Sequence, residues 1–304
     1  MKLSDLDYID IKHYLKTTGL SFFAGSFSVN LKSKIPSIAK GVMQLYGDSK
    51  INQTDFSDFH IVLKADSGIR RWIRPRVEFL LSDRAPFFPM PYEQAFPLLE
   101  WGLNWCVTNH CHEYLVIHAA VLEKNGKAII LPGIPGSGKS TLCAALVNTE
   151  GWRLLSDELA IFDPVKNTIL PNPRPVSLKN QSIDIIKSFS KTAQFSPTVR
   201  DTIKGSVAHM KPSYESVVQR RIPAVPRYIV FPKYNKDSNL GLVSITKGES
   251  FLELAEHSFN YQILGEQGFT SVASILDKCD CFKYVYDGDL SSAIDQMETL
   301  IADD

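Results

Sequence analysis

The sequence predicts an α/β protein in which a phosphate-binding-loop (P-loop) core with a mixed sheet follows a smaller mixed α+β amino-terminal domain. A glycine-rich loop at residues 133–140 stands between a short apolar segment, 128–131, that is typical of a buried strand, and a helical segment, 140–147. An Asn-Gly pair at 125–126 predicts a hairpin turn that joins this strand to an earlier one, 114–122. Before residue 91, segments 27–31, 58–63 and 77–81 are rich in β-branched and aromatic residues, which indicates strands.

The loop fits the pattern G-x-x-x-x-G-K-[ST] at every position, between the strand and the helix that this pattern requires. Its glycines allow backbone N–H groups to turn towards phosphate oxygens, and the following helix adds the positive end of its dipole. Lys139 is expected to contact the β- and γ-phosphates, and the Ser140 hydroxyl to ligate magnesium. The candidate nucleotide-binding residues are Gly133, Ile134, Pro135, Gly136, Ser137, Gly138, Lys139, Ser140 and Thr141.

Two adjacent acids interrupt the next apolar strand, 152–162. Asp157 and Glu158 follow Lys139 by fewer than twenty residues, so we expect them beside the phosphates. Acids in an apolar strand are costly to bury unless a cation or a proton-transfer role compensates. In kinases one such carboxylate accepts the proton of the acceptor hydroxyl and another holds magnesium. The alternative interpretation is that both acids end the strand in a solvated turn.

A basic region follows the acids. Arg174 lies after several prolines, in a setting suited to bidentate phosphate binding, and Lys179 follows it. Lys204, His209 and Lys211 belong to a basic segment, 200–227, which we expect to close over the γ-phosphate or to receive an anionic acceptor. Both groups also fit an ordinary solvated surface.

These stretches resemble HPr kinase/phosphorylase, and most closely the branch called HPr-kinase-related kinase A. The residues that carry the resemblance are His118-Ala-Ala-Val, the glycine loop and Leu155-Ser-Asp-Glu158. Further similar stretches are Trp101-Gly-Leu-Asn-Trp105, Arg174-Pro-Val-Ser-Leu-Lys-Asn180, Lys204-Gly-Ser-Val-Ala-His209 and Ser258-Phe-Asn-Tyr261. They spread over the last two thirds of the chain.

The resemblance implies an HPr-kinase-like fold related to phosphoenolpyruvate carboxykinase, with ATP and Mg²⁺ as cofactors. It assigns Asp157 as the general base, Glu158 and Ser140 as magnesium ligands, and His118 as a residue near the transferred phosphate. Relatives of this branch resemble enzymes that phosphorylate peptides or free serine, and the family also implies an oligomer. The chain has Asp157-Glu158 where HPr kinases have two aspartates, which argues against phosphorylase activity and against HPr as the acceptor.

Composition excludes other function classes. Lys+Arg and Asp+Glu both number 33, so no global charge favours nucleic acid or an anionic membrane. No apolar run approaches the roughly 18 residues of a membrane span, and five cysteines fit a reducing compartment. We therefore expect a cytoplasmic protein. Cys106 and Cys111, near His110 and His112, are interpreted as buried cysteines beside surface histidines rather than as metal ligands.

The proline-rich segment 85–91 is the predicted boundary between a small domain, 1–91, and the kinase domain, 92–304. Residues 92–111 have helical apolar spacing, and Trp101 and Trp105 on one face predict core packing, with an adenine platform as the alternative. Residues 180–225 are expected to be rich in loops, with one helix at 182–189. Segments 227–231, 241–245 and 282–286 predict strands, and 250–262 and 290–301 predict helices.

Two other functions also fit the sequence. A small-metabolite kinase of the shikimate-kinase type would combine a parallel sheet with a helical lid, whereas an antiparallel hairpin leading into the loop favours the HPr-kinase-like interpretation. A non-catalytic ATP-binding interaction module would tolerate the loss of Asp157.

Overall fold

The computed structural model describes residues 1–67, 70–238 and 240–302. The helices of the described residues are α1 (Tyr8–Lys16), α2 (Pro36–Leu45), α3 (Arg70–Ile73), α4 (Ala95–His110), α5 (Lys139–Val147), α6 (Gln181–Phe189), α7 (Tyr214–Val218), α8 (Lys247–Glu256), α9 (Tyr261–Leu264), α10 (Glu266–Lys278) and α11 (Leu290–Ala302). The strands are β1 (Leu20–Ala24), β2 (Phe27–Ser33), β3 (Phe59–Ala65), β4 (Arg76–Leu81), β5 (Met90–Pro91), β6 (Leu115–Lys124), β7 (Lys127–Pro132), β8 (Arg153–Ser156), β9 (Leu159–Asp163), β10 (Thr168–Leu170), β11 (Val176–Lys179), β12 (Val199–Thr202), β13 (Gly205–Met210), β14 (Val225–Tyr234), β15 (Gly241–Ser244) and β16 (Asp280–Tyr286). The protein is a mixed α/β protein with several mixed sheets.

The amino-terminal sheet has the order β1-β2-β3-β4-β5. Only β2 and β3 are parallel, because α2 connects them as a crossover. The alternating burial of β3 gives this sheet one covered and one more open face. The three strands predicted before residue 91 are confirmed as β2, β3 and β4, whereas β1, α1 and α2 were not predicted as individual elements.

Helix α4 packs on this amino-terminal sheet. A side chain at Gly102 would collide with the Phe79 ring of β4, and one at Gly41 of α2 would collide with the Phe96 ring of α4. The same apolar core also takes in residues from β6 and β9. The core therefore runs across the predicted boundary at residue 91, and the division into two domains stays a prediction.

The central sheet has the order β10-β9-β6-β7-β14-β16-β15, and β8 pairs separately with β6. Strands β6 and β7 form the predicted antiparallel hairpin, with left-handed backbone at Asn125 (φ 55°) and Gly126 (φ 81°). Strand β14 is parallel to both β7 and β16. Side chains of β6, β7 and β9 are almost all buried, since both faces of the sheet are covered. Helices α5, α6 and α11 pack on one face at β6 and β7, and the amino-terminal core covers that face at β9. Helices α8 and α10 pack on the other face.

The segment 180–225 is more regular than predicted. Its helix α6 is confirmed, but β11, β13 and β12 form a three-stranded antiparallel sheet beside it, and α7 follows. These strands have four to six residues, and β12 is largely exposed with a register irregularity. A pattern that short and polar does not distinguish a strand from a loop until its partner is known.

The helix predicted at 250–262 is interrupted. Helix α8 ends at Glu256 and the short α9 begins at Tyr261. Between them, the Asn260 side chain accepts a bond from the Val116 backbone N–H (2.9 Å) and donates to the Tyr114 carbonyl (2.8 Å). This side chain ties the chain to the start of β6, and helical spacing alone gave no sign of that contact.

The five cysteines are buried and form no disulfide, while His110 and His112 are exposed, as predicted. No helix in the part of the chain that the structure describes is long and apolar enough to cross a membrane.

Candidate active site

The glycine loop connects β7 to α5 as predicted. Gly136 and Gly138 have left-handed backbone, with φ of 90° and 91°, a conformation that only glycine adopts without strain. Gly138 precedes α5, and any side chain there would collide with the Tyr286 hydroxyl. That hydroxyl donates a hydrogen bond to the Gly138 carbonyl (3.0 Å), so β16 fixes the loop at the start of the helix.

Lys139 turns back into the loop. It is only 6% exposed, and its Nζ donates to the Gly133 carbonyl at 3.0 Å. Burial is the main reason that the pKa of Lys139 is lowered, although Asp157 and Glu158 act in the opposite direction. The Lys139 ammonium therefore lies against the glycine loop, where the charges of Asp157 and Glu158 act on it.

His118 on β6 lies beside this lysine. Its Nε2 is 3.3 Å from Lys139 Nζ. Burial, together with the Lys139 charge, lowers the pKa of His118 to about 4. The imidazole is therefore neutral near pH 7 and can accept a hydrogen bond from the ammonium. The ring of Phe259 lies 5.6 Å away, centre to centre.

Asp157 sits where the strand breaks between β8 and β9. The carboxylate is buried, and its Oδ2 accepts a bond from the Ser177 backbone N–H (2.9 Å). Its Oδ1 is also buried but has no hydrogen-bond partner. Burial and then the Glu158 charge raise the pKa of Asp157. The solvated-turn alternative does not hold for this residue.

Glu158 is oriented differently. Its Oε1 lies 3.2 Å from Lys179 Nζ, and its Oε2 accepts a bond from Asn104 Nδ2 (2.6 Å). Burial acts to raise the pKa of Glu158, but Lys179 and then Lys204 outweigh it and leave the pKa at about 2. The neighbouring acids thus differ: the pKa of one is raised and that of the other lowered, a pattern typical of sites with distinct acid and base roles.

Arg174 is held by α4. Its Nη1 lies 3.7 Å from Glu100 Oε2, and its Nη2 donates to Asn104 Oδ1. Glu100 in turn accepts a bond of 2.6 Å from the hydroxyl of Tyr46, at the end of α2. A chain of polar contacts therefore runs from the amino-terminal sheet region through Arg174 and Asn104 to Glu158.

Only part of the basic segment, 200–227, lies near the acid pair. Lys204 Nζ lies 5.2 Å from the centre of the Trp101 ring, and its charge acts to lower the pKa of Glu158. His209 is 1% exposed, its ring touches Phe96, and burial lowers its pKa to about 3. Lys211 forms an ion pair with Asp48 (2.6 Å) instead, on a separate surface.

An open cavity of about 390 Å³ extends from the glycine loop, a size typical of small-molecule sites. The loop residues from Ile134 to Thr141 line it. Arg174, Lys204 and His209 do not belong to its described lining, so their predicted contact with the nucleotide stays a prediction. The cavity also has walls that sequence reasoning missed, from β11, α6, β14 and the segment around β16: Ser177, Ile185, Tyr234, Tyr286 and Leu290.

A second, smaller space lies against the acid pair, and we call it the acid chamber. It is lined by α4, by the break between β8 and β9, by the loop that leads into β11, and by β13: Glu100, Trp101, Asn104, Ser156, Asp157, Glu158, Asn172, Arg174, Pro175, Ser177 and His209. Ser177 lines both spaces, so they adjoin there. Core packing is confirmed for Trp105 but not for Trp101, which is half-buried in this wall.

The residues fit a magnesium ion. Neighbouring lysine charges keep the Glu158 carboxylate ionised, and the Ser140 hydroxyl lines the cavity. Both are oxygen ligands of the kind that magnesium prefers. The described residues hold no group of three or more His, Cys, Asp or Glu side chains placed to bind a metal. That is compatible with magnesium, which proteins usually bind through one or two carboxylates and the phosphates of a substrate.

Four stretches that are far apart in the sequence meet at this site: the loop with α5, the acid pair, the Trp101–Asn104 turn of α4 and the β11 strand. A scan of protein-family models finds no match to this chain, and a search of curated proteins finds none either.

Proposed function

We propose that this protein is an ATP- and magnesium-dependent kinase that transfers the γ-phosphoryl group to a hydroxyl on a peptide, protein or small molecule. We propose further that it is similar to the HPr-kinase-related kinases in its core. The observation that supports the proposal most is that buried Lys139 at the glycine loop feels the charge of a buried carboxylate, Asp157, whose Oδ1 has no partner. A phosphate-binding cation and a base for the acceptor hydroxyl are two of the parts that recur in phosphoryl-transfer sites.

In this mechanism the loop amides and Lys139 bind the β- and γ-phosphates, and neutral His118 orients the lysine. Ser140 and Glu158 would hold magnesium, which supplies charge neutralisation at the phosphates when it is bound. Asp157 takes the proton of the acceptor hydroxyl, whose oxygen forms a bond to the γ-phosphorus. The bond between that phosphorus and the β–γ bridging oxygen breaks, and its electron pair leaves with ADP.

One wall of the cavity suits the nucleoside. Tyr234 and Ile185 are 47% and 44% exposed although both line the cavity. A partly exposed aromatic ring and an aliphatic side chain that line one cavity offer apolar surface for a base. We propose that the base lies there, with Leu290 completing the apolar wall.

Two observations favour this proposal over its rivals. The antiparallel β6–β7 hairpin that leads into the loop differs from the parallel sheet of a shikimate-type kinase. A binding module would gain nothing from Asp157, because a buried carboxylate with one unpaired oxygen is costly to keep.

The test is transfer of ³²P from [γ-³²P]ATP with Mg²⁺ to free serine, to a serine-containing peptide pool and to the protein itself. We expect Asp157→Asn to lower the rate by about 10²–10⁴-fold while ATP affinity changes little. Lys139→Ala should weaken ATP binding itself. Asp184→Asn, on the exposed face of α6, is the matched control and should behave as wild type. Undiminished transfer by Asp157→Asn would refute the mechanism, and ATP binding without transfer to any of the three acceptors would favour the binding module.

A further inference from the structure

The acid chamber holds an unusual concentration of unsatisfied polar atoms. The described residues contain eleven buried side-chain nitrogen and oxygen atoms without a hydrogen-bond partner, and seven of them belong to residues that line this chamber. Buried polar groups in folded proteins are normally paired. The seven atoms are Trp101 Nε1, Asp157 Oδ1, Asn172 Nδ2, Arg174 Nε, Ser177 Oγ and both ring nitrogens of His209.

The hydrogen-bonding capacity of these atoms indicates which chemical group would bind in the acid chamber. The indole, amide and guanidinium nitrogens of Trp101, Asn172 and Arg174 can only donate, whereas Asp157 Oδ1 in its ionised form can only accept. A carboxylate occupant has no proton for Asp157, and an ammonium occupant cannot accept from the three donors. A hydroxyl does both, because its oxygen accepts two hydrogen bonds and donates one.

The size of the chamber agrees with this chemistry. Its free volume is about 10 Å³, which suffices for one water-sized group. Since Ser177 lines both the chamber and the cavity at the glycine loop, a hydroxyl in the chamber can extend from a carbon that lies on the loop side.

We propose that the acid chamber is the acceptor-hydroxyl pocket, and that Trp101 determines acceptor specificity by donating one hydrogen bond to the hydroxyl that Asp157 deprotonates. The second lone pair of the hydroxyl oxygen then stays available to attack the γ-phosphorus. This proposal rests on the proposed kinase function and adds a binding site to it. Lys204 lies against Trp101, at the side of the pocket formed by that ring.

Binding is tested without phosphoryl transfer by ¹⁹F NMR of the full chain labelled with 5-fluorotryptophan. The chain has four tryptophans, and Trp101→Phe assigns the Trp101 signal. The probes are N-acetyl-L-serine methylamide and, as the matched compound without a hydroxyl, N-acetyl-L-alanine methylamide. We expect the serine compound to shift the Trp101 signal saturably and the alanine compound to leave it unchanged. Equal effects of both compounds, or no shift with either, would overturn the proposal.

Kinetics give the second test. Trp101→Phe keeps an aromatic ring and removes the N–H, so we expect the KM for a serine-containing acceptor to rise about three- to tenfold with the KM for ATP unchanged. Trp105→Phe, one turn further along α4 and packed on Phe87, is the matched control. Normal acceptor KM in Trp101→Phe would refute the pocket and leave the kinase intact. Serine binding without phosphoryl transfer would refute the kinase and leave the pocket intact.

Discussion

At the scale of single residues, the two neighbouring acids have opposite pKa shifts because their side chains enter different surroundings. Asp157 is buried with one oxygen unpaired, which favours its neutral form. Glu158 lies between Lys179 and Asn104, and the lysine charges stabilise its ionised form. The backbone places the two acids next to each other, and their different neighbours shift their pKa values in opposite directions.

The positive charge of Lys179 lowers the pKa of both acids, so Lys179→Met should raise both. A base with a higher pKa stays protonated up to a higher pH. The acidic limb of the pH profile of kcat/KM is therefore expected to move to higher pH in this variant. Lys191→Met, an exposed position after α6, is the control and should leave the profile in place. If the acidic limb of the kcat/KM profile does not move, or moves to lower pH, in Lys179→Met, the assignment of Asp157 as the base is contradicted.

At the scale of elements, α4 connects the amino-terminal sheet with the acid pair. Its buried face packs on β4 and α2, and the next face presents Glu100 and Asn104 to Arg174 and Glu158. One helix thus serves as both a core element and a wall of the site.

Asn104→Ala removes the amide that orients Glu158. Because residues that orient a metal ligand typically change metal affinity by 10–100-fold, we expect the Mg²⁺ concentration for half-maximal activity to rise about tenfold. Asn109→Ala, at the exposed end of the same helix, should not change it. Identical Mg²⁺ titrations for the two variants would argue against a role for Glu158 at the metal.

The junction of the glycine loop with α5 offers a matched pair of substitutions. Gly136 and Gly138 have the same left-handed backbone, but only Gly138 has Tyr286 against it. Gly136→Ala should cost about 1 kcal/mol in the free energy of unfolding from backbone strain, and Gly138→Ala about 1–3 kcal/mol more from the collision.

Urea unfolding of both variants measures this difference. Adding Tyr286→Phe to Gly138→Ala removes the nearest clashing atom, the hydroxyl oxygen, and should recover part of the loss. Equal unfolding free energies for the two single variants would show that β16 does not constrain the loop.

At the scale of the whole molecule, the amino-terminal region and the central sheet share one apolar core through α4, β6 and β9. Shared cores usually unfold together. We therefore expect a single cooperative transition. This is measurable in two single-tryptophan proteins that keep either Trp105, in that core, or Trp152, in the core under α5 and α11. Coincident guanidinium midpoints are the expected result, whereas separate midpoints would support independent domains divided near residue 91.

The sequence by itself determined the glycine loop, the hairpin before it, the helix after it and the position of the acids in an interrupted strand. Each of these depends on residues within a few positions of one another, where backbone preference and hydrophobic period act directly. Only the tertiary structure decided which residues form hydrogen bonds with one another at the site. Asn104 bonds to Glu158 across 54 residues and Arg174 to Asn104 across 70. The burial of His209, the opposite pKa shifts of the acids and the acid chamber all depend on such long-range contacts, because burial and electrostatic neighbours are properties of the packed chain.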